Sequence, residues 1–154
     1  MAAAASTVTP CVEASELRNR RTRVLIAEDD ASLRALMRLT VDIGDIDIDE
    51  AEDGASALAA ARAAPPDVVL LDWMMPGLSG LDLCRALRSD PVTAGAMIVM
   101  VTARVLPADR DAALAAGADH FVGKPFSPVA LLDTVRHALR ARARLGPAAG
   151  ELPP

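Results

Sequence analysis

The chain has 154 residues, of which 52% are apolar, 24% charged and only 2% aromatic, a balance that excludes bulk disorder and demands a core built from aliphatic side chains. A formal charge of −5 gives no broad electrostatic attraction for phosphate backbones, so direct nucleic-acid binding is not expected. Two cysteines, Cys11 and Cys84, are too few for a disulfide framework and fit a reducing cytoplasm.

Residues 1–21 are Ala-, Ser- and Thr-rich and then charged, without a sustained apolar period, and are expected to form a flexible extension. Met1 to Thr9 has neither the positive start nor the apolar run of a signal peptide. The expected domain covers residues 22–143. It opens with the β-like run Val24-Leu25-Ile26-Ala27. A helix over Ser32 to Ile43 follows, capped by Asp30 or Ser32, with Leu33, Leu36, Met37 and Thr40 on one face. Ile46-Asp47-Ile48 alternates like an edge strand, and Ala55 to Ala64 is helical. Val68 to Leu71 is a continuous apolar strand, Leu78 to Leu87 a helix, and Met97 to Val101 a second continuous strand. The uncharged stretch Pro91 to Ala103 around it is too short to span a membrane and reads as a buried strand. Pro107 to Ala116 is a helix stopped by Gly117, and His120 to Val122 is a strand. Ser127-Pro128 is a cap followed by proline at the first helical position, and Leu131, Leu132, Val135 and Leu139 stripe the last helix. Residues 144–154 are expected to be a flexible tail, too short for an output domain.

Five β/α units predict an α/β fold, a doubly wound, five-stranded parallel sheet with right-handed crossovers and five helices. In such sheets ligands bind beyond the carboxyl ends of the strands. There the sequence places Glu28-Asp29-Asp30, Asp72, Thr102 and Lys124-Pro125. Carboxylates about 4 Å apart repel by roughly 4 kcal/mol per pair at an effective dielectric near 20, so a cation must offset them. With oxygen ligands and no His or Cys nearby, that cation is expected to be Mg²⁺. Lys124 is the single lysine among 16 basic residues, a compact charge where a guanidinium fork needs more room.

The acidic pair Glu28 and Asp29, the run LLDWMMPGLSGLDLCRALR around Asp72, IVMVTA ending near Thr102, and AGADHFVGKPFS around Lys124 occur in one order. Together they resemble the receiver domain of two-component response regulators, over about Thr22 to Ala143. The resemblance implies the flavodoxin-like strand order 2-1-3-4-5. It also implies Asp72 as phosphoacceptor, Glu28, Asp29, Asp72 and the Met74 backbone carbonyl as Mg²⁺ ligands, and Thr102 and Lys124 as phosphoryl contacts. Thr102 and Phe121 form the implied switch, and a cis Lys124-Pro125 bond is expected. A receiver takes its phosphoryl group from a histidine kinase or histidine phosphotransfer protein, and assists its own phosphorylation rather than acting as an enzyme. The expected output is a stand-alone signal to a protein through the last two helices and the strand between them, or to a second copy in a phosphorylation-linked homodimer. Met74 and Arg104 stand two residues after the acceptor and the threonine. Neither is an acid or amide, which predicts poor orientation of a hydrolytic water and a long-lived acyl phosphate. The rival readings are a small Mg²⁺-dependent phosphohydrolase with Asp72 as nucleophile and a docking module that is never phosphorylated.

Other residues suggest chemistry more weakly. Asp45-Ile46-Asp47-Ile48-Asp49 lacks the glycine and the final glutamate of a calcium loop and reads as a solvated strand. His120 and His137 are isolated from each other in sequence and are expected to be surface residues. Cys84 shares an apolar helix face and is expected to be a core thiol, while Arg140, Arg142 and Arg144 complement the last helix dipole.

Overall fold

The structure, a computed structural model, describes residues 20–145. Its elements alternate without exception: β1 (Thr22–Ala27), α1 (Ala31–Val41), β2 (Ile46–Ala51), α2 (Gly54–Ala63), β3 (Val68–Leu71), α3 (Gly80–Ser89), β4 (Met97–Thr102), α4 (Pro107–Ala116), β5 (His120–Gly123) and α5 (Pro128–Leu145). All strand pairs are parallel and the sheet order is β2-β1-β3-β4-β5. β1, β3 and β4 occupy the middle, and their unbroken aliphatic runs bury side chains on both faces. Leu25, Val69, Leu71, Ile98 and Met100 pack against α2, α3 and α4. Val24, Ile26, Val68, Leu70, Val99 and Val101 pack against α1 and α5. Each fully buried aliphatic side chain contributes roughly 1.5–3 kcal/mol, which is how a chain with so few aromatics holds two layers of helices on one sheet.

The caps follow the sequence. Asp30, not Ser32, caps α1, its carboxylate accepting from Leu33 N at 2.9 Å. Gly117 ends α4 in the left-handed conformation at φ 113°, and Ser127 Oγ accepts from Ala130 N at the start of α5.

Four expectations change. Leu36 is 42% exposed, and the buried face of α1 is set by Met37 and Val41 with Leu33 beside them, because the helix presents its i, i+4 stripe to the sheet. Of Pro91 to Ala103 only Met97–Thr102 is strand, since residues 91–95 turn off the end of α3. The last helix runs to Leu145, past the expected boundary at 143. Arg20 and Arg21, assigned to the flexible extension, are tied to the sheet: Arg20 Nη2 donates to Pro65 O at 3.0 Å, and Arg21 lies 3.5 Å from Asp47. The rest of the extension, with Cys11, and residues 146–154 of the tail lie outside the described residues. Among the described residues no helix is long and apolar enough to cross a membrane.

The rejected calcium segment is edge strand β2, where Asp47 and Asp49 face Arg21 and Arg23 at 3.5 and 3.9 Å. Cys84 is buried at the sheet face of α3, and burial pushes its thiol up to about 11, which leaves it protonated and inert at neutral pH.

Candidate functional site

The parallel register places Ala27 beside Leu71, so the residues that follow, Glu28 and Asp72, leave adjacent strands at the same height. Both are held by backbone bonds that prolong the ladder: Glu28 N donates to Ala51 O at 3.1 Å and Asp72 N to Ala27 O at 3.0 Å. Glu28, Asp29 and Asp72 each offer a carboxylate oxygen, and these oxygens lie within 4.8 Å of one another. Glu28 and Asp72 are buried while Asp29 stands exposed at the mouth.

Lys124 closes the pocket from the far side. It follows β5, its N–H donates to Thr102 O at 2.8 Å, and the Lys124-Pro125 bond is cis. Its Nζ lies 2.7 Å from Glu28 Oε2 and 3.3 Å from Asp72 Oδ2. Burial pushes the Glu28 carboxyl up; the hydrogen bond from Lys124 opposes this and the Asp72 charge adds to it. One ammonium therefore does not fully compensate the acids. The surplus negative charge, the all-oxygen donor set and the opening at Asp29 fit a hard divalent cation that keeps some of its waters.

Thr102, fully buried at the end of β4, accepts from Arg104 N at 3.1 Å through Oγ1. Met74 N donates to Asp72 Oδ1 at 3.4 Å, which sets residue 74 on the rim with its side chain 61% exposed. Phe121 is half-buried on the α3/α4 side of the sheet. It pairs with Met100, two residues before the Thr102–Gly123 pair, so by alternation Met100 and Thr102 share a sheet face and Phe121 lies on that same face. The structure thus brings Glu28, Asp29, Asp72 and Lys124 together at one strand-end site, with Thr102 and Met74 bordering it and Phe121 behind.

Glycine makes the crowding at Asp72 feasible. A Cβ on Gly80 would fall 2.0 Å from Asp72 O, and Gly80 N donates to Trp73 O. Two sets of supporting contacts escaped the sequence analysis. Arg34 Nη1 donates to the Glu28 carbonyl at 2.8 Å, pinning the loop that carries the acidic pair. The Arg104 guanidinium lies over the Trp73 ring, 4.7 Å from its centroid, and pairs with buried Asp109 at 3.1 Å. At the start of α4 the Asp109 carboxylate also accepts from Leu106 N at 3.3 Å. Trp73, Met74, Met75, Pro76, Ser79 and Asp29 line a shallow cleft of about 580 Å³ beside the acids.

The sequence profile of the response regulator receiver domain matches residues 24–136, and the chain belongs to that family. It is similar to the DNA-binding response regulator MtrA of Mycobacterium tuberculosis, 42% identical over 120 residues, covering 78% of this chain and 51% of the relative. It is also similar to the phosphate regulon transcriptional regulatory protein PhoB of Rhizobium meliloti, 38% identical over 118 residues, 77% of this chain and 52% of the relative. The chain thus spans about half the length of the curated relatives it matches. Among solved structures, chemotaxis protein CheY4 of Vibrio cholerae superimposes with a TM-score of 0.73 at 31% identity, covering 78% of this chain and all of that one. A CheY-like receiver domain from Methanospirillum hungatei gives 0.76 at 23% identity over 82% of this chain and all of the other, a likeness of fold. The strand order, the flavodoxin-like architecture and membership of two-component signalling all agree with the sequence-based expectation. Aspartate phosphorylation and magnesium binding are features of the family.

Proposed function

We propose that the domain accepts a phosphoryl group on Asp72 from a phosphohistidine of a sensor kinase or phosphotransfer protein, and signals through the surface formed by α4, β5 and α5. The observation that carries this reading is the convergence of three carboxylates within 4.8 Å, two of them contacted by the ammonium of the only lysine.

A carboxylate oxygen of Asp72 attacks phosphorus as the bond from phosphorus to the imidazole nitrogen breaks; that nitrogen keeps the electron pair, and because the other ring nitrogen carries a proton the ring departs as neutral imidazole. Both reactants are anionic, and the transferring group spreads charge over its equatorial oxygens. Lys124 stabilises that charge at one oxygen and leaves Glu28 as it turns to do so. Glu28, Asp29, Asp72 and the Met74 carbonyl would hold Mg²⁺, which neutralises the approaching phosphoryl oxygens when bound. Glu28, pinned by Arg34 and by Asp30 N at 3.2 Å, fixes the position of the metal-holding loop. Thr102 Oγ1 donates its hydrogen to a phosphoryl oxygen once the acyl phosphate forms, and Phe121 fills the space vacated behind it. Phe121 has no hydroxyl, so the switch acts through packing. The partner reads α4, β5 and α5 as a protein surface, and a second copy is the alternative occupant. Neither rival reading gains support from this geometry: a phosphohydrolase needs a group to activate water, and residues 74 and 104 are an exposed thioether and a guanidinium committed to Trp73 and Asp109.

Incubation with acetyl phosphate and Mg²⁺ tests the reading by intact mass. A stable single-phosphate adduct supports it; continuous release of phosphate without an adduct marks a hydrolase, and no reaction marks a docking module.

A further inference from the structure

Edge strand β5 and the helix α5 packed on it each carry one histidine that phosphoryl transfer does not use, and the two are not isolated from one another as their sequence spacing suggested. His120 opens β5 and, like Val122 two residues on, faces α5 by strand alternation. His137 projects from α5, and the two ring centroids lie 5.4 Å apart with the ring planes at 81°. His120 Nε2 is buried without a hydrogen-bond partner. The neighbouring carboxylate, Asp119, is committed elsewhere, to Arg88 and to Ile98 N at 2.8 Å. A buried ring nitrogen with no partner is unusual and asks for a ligand.

We propose that His120 and His137 form a two-histidine site for a borderline-soft divalent ion, zinc in the first instance, distinct from the all-oxygen pocket at Asp72. Two imidazoles on one tetrahedral zinc, each bound at about 2.0 Å, place their ring centroids about 5 Å apart, close to the separation found. With its proton on Nδ1, His120 presents the Nε2 lone pair, and burial holds its pKa below the ordinary value so that the ring is neutral at pH 7. His137 is exposed and turns readily to share the ion. Water completes the coordination, and Asp133, one helical turn before His137, adds negative charge nearby. The bound ion joins β5 to α5, so it stiffens the face assigned above to signalling. The site is independent of the phosphoryl reading, since no residue is common to both.

The test titrates the full chain with zinc chloride in saturating Mg²⁺, following melting temperature and the imidazole proton resonances. Zinc raises the melting temperature and shifts both histidine ring signals. His137→Ala, a surface change that leaves the core intact, weakens binding at least about tenfold, as loss of a ligand must. Cys11→Ser and Asp72→Asn each retain the response. Absence of a zinc effect on the wild type, or full retention of it in His137→Ala, overturns the proposal.

Discussion

Lys124 Nζ and Glu28 Oε2 lie 2.7 Å apart although 96 residues separate them in the chain. The contact joins the loop after β5 to the loop after β1 across the whole half-sheet, and it is the shortest of the lysine's two carboxylate contacts. The ammonium rests on Glu28, one of the acids proposed above to hold Mg²⁺. Lys124→Met removes it, and labelling of Asp72 by acetyl phosphate is expected to slow by about 10²-fold, the usual cost of losing one preorganised donor. Lys124→Arg restores the charge but not the compact geometry, and restores only part of the rate. Rates of adduct formation by mass spectrometry compare the two.

The raised pKa of Glu28 links stability to pH in a definite direction. Because burial lifts it above 4.5, the folded state holds a proton that the unfolded state has lost, so stability of the metal-free domain falls as pH rises through the interval from 4.5 up to the folded value. Mg²⁺ compensates the charged form, and the slope in that interval shrinks. Urea denaturation across this range with and without Mg²⁺ reads both slopes, and Glu28→Gln removes this contribution.

Two glycines near the site separate steric from conformational cost. Gly80→Ala drives a Cβ into the Asp72 carbonyl, which as backbone cannot move aside; a loss of about 2–4 kcal/mol is expected, together with impaired Mg²⁺ binding. Gly77→Ala meets nothing within 4 Å but must adopt φ 74°, so it costs about 1 kcal/mol and leaves Mg²⁺ binding unchanged. Thermal melts and a magnesium titration of both variants give the comparison.

The backbone architecture was almost entirely legible because parallel strands announce themselves as unbroken aliphatic runs, as Val68 to Leu71 and Met97 to Val101 do. The strand-end acids, Thr102 and Lys124 were equally plain, since a doubly wound sheet fixes where such residues must meet. What stayed hidden depends on rotation and reach. Leu36 and Val41 differ only in their angle around α1, which a short apolar pattern does not fix. The Arg104 contact with Trp73 and the His120 contact with His137 join residues from separate elements, and no periodicity encodes a side chain's reach.

Residues 74 and 104 predict a slow return to the unphosphorylated state. Arg104 is held by Trp73 and Asp109, and the Met74 thioether cannot orient a water. Loss of label from the purified phosphorylated domain should take minutes or longer, and Met74→Asn, which supplies an amide, should shorten the lifetime severalfold. A wild-type half-life of seconds contradicts this explanation.

The central claim is that Asp72 becomes phosphorylated and that a divalent ion in the pocket makes it reactive. Intact-mass spectrometry after incubation with acetyl phosphate, run with Mg²⁺ and with chelator, on the wild type and Asp72→Asn, tests it most directly. One added phosphate is expected on the wild type with Mg²⁺ only, and none on the variant. An adduct of equal yield in chelator, or one that persists in Asp72→Asn, would contradict it.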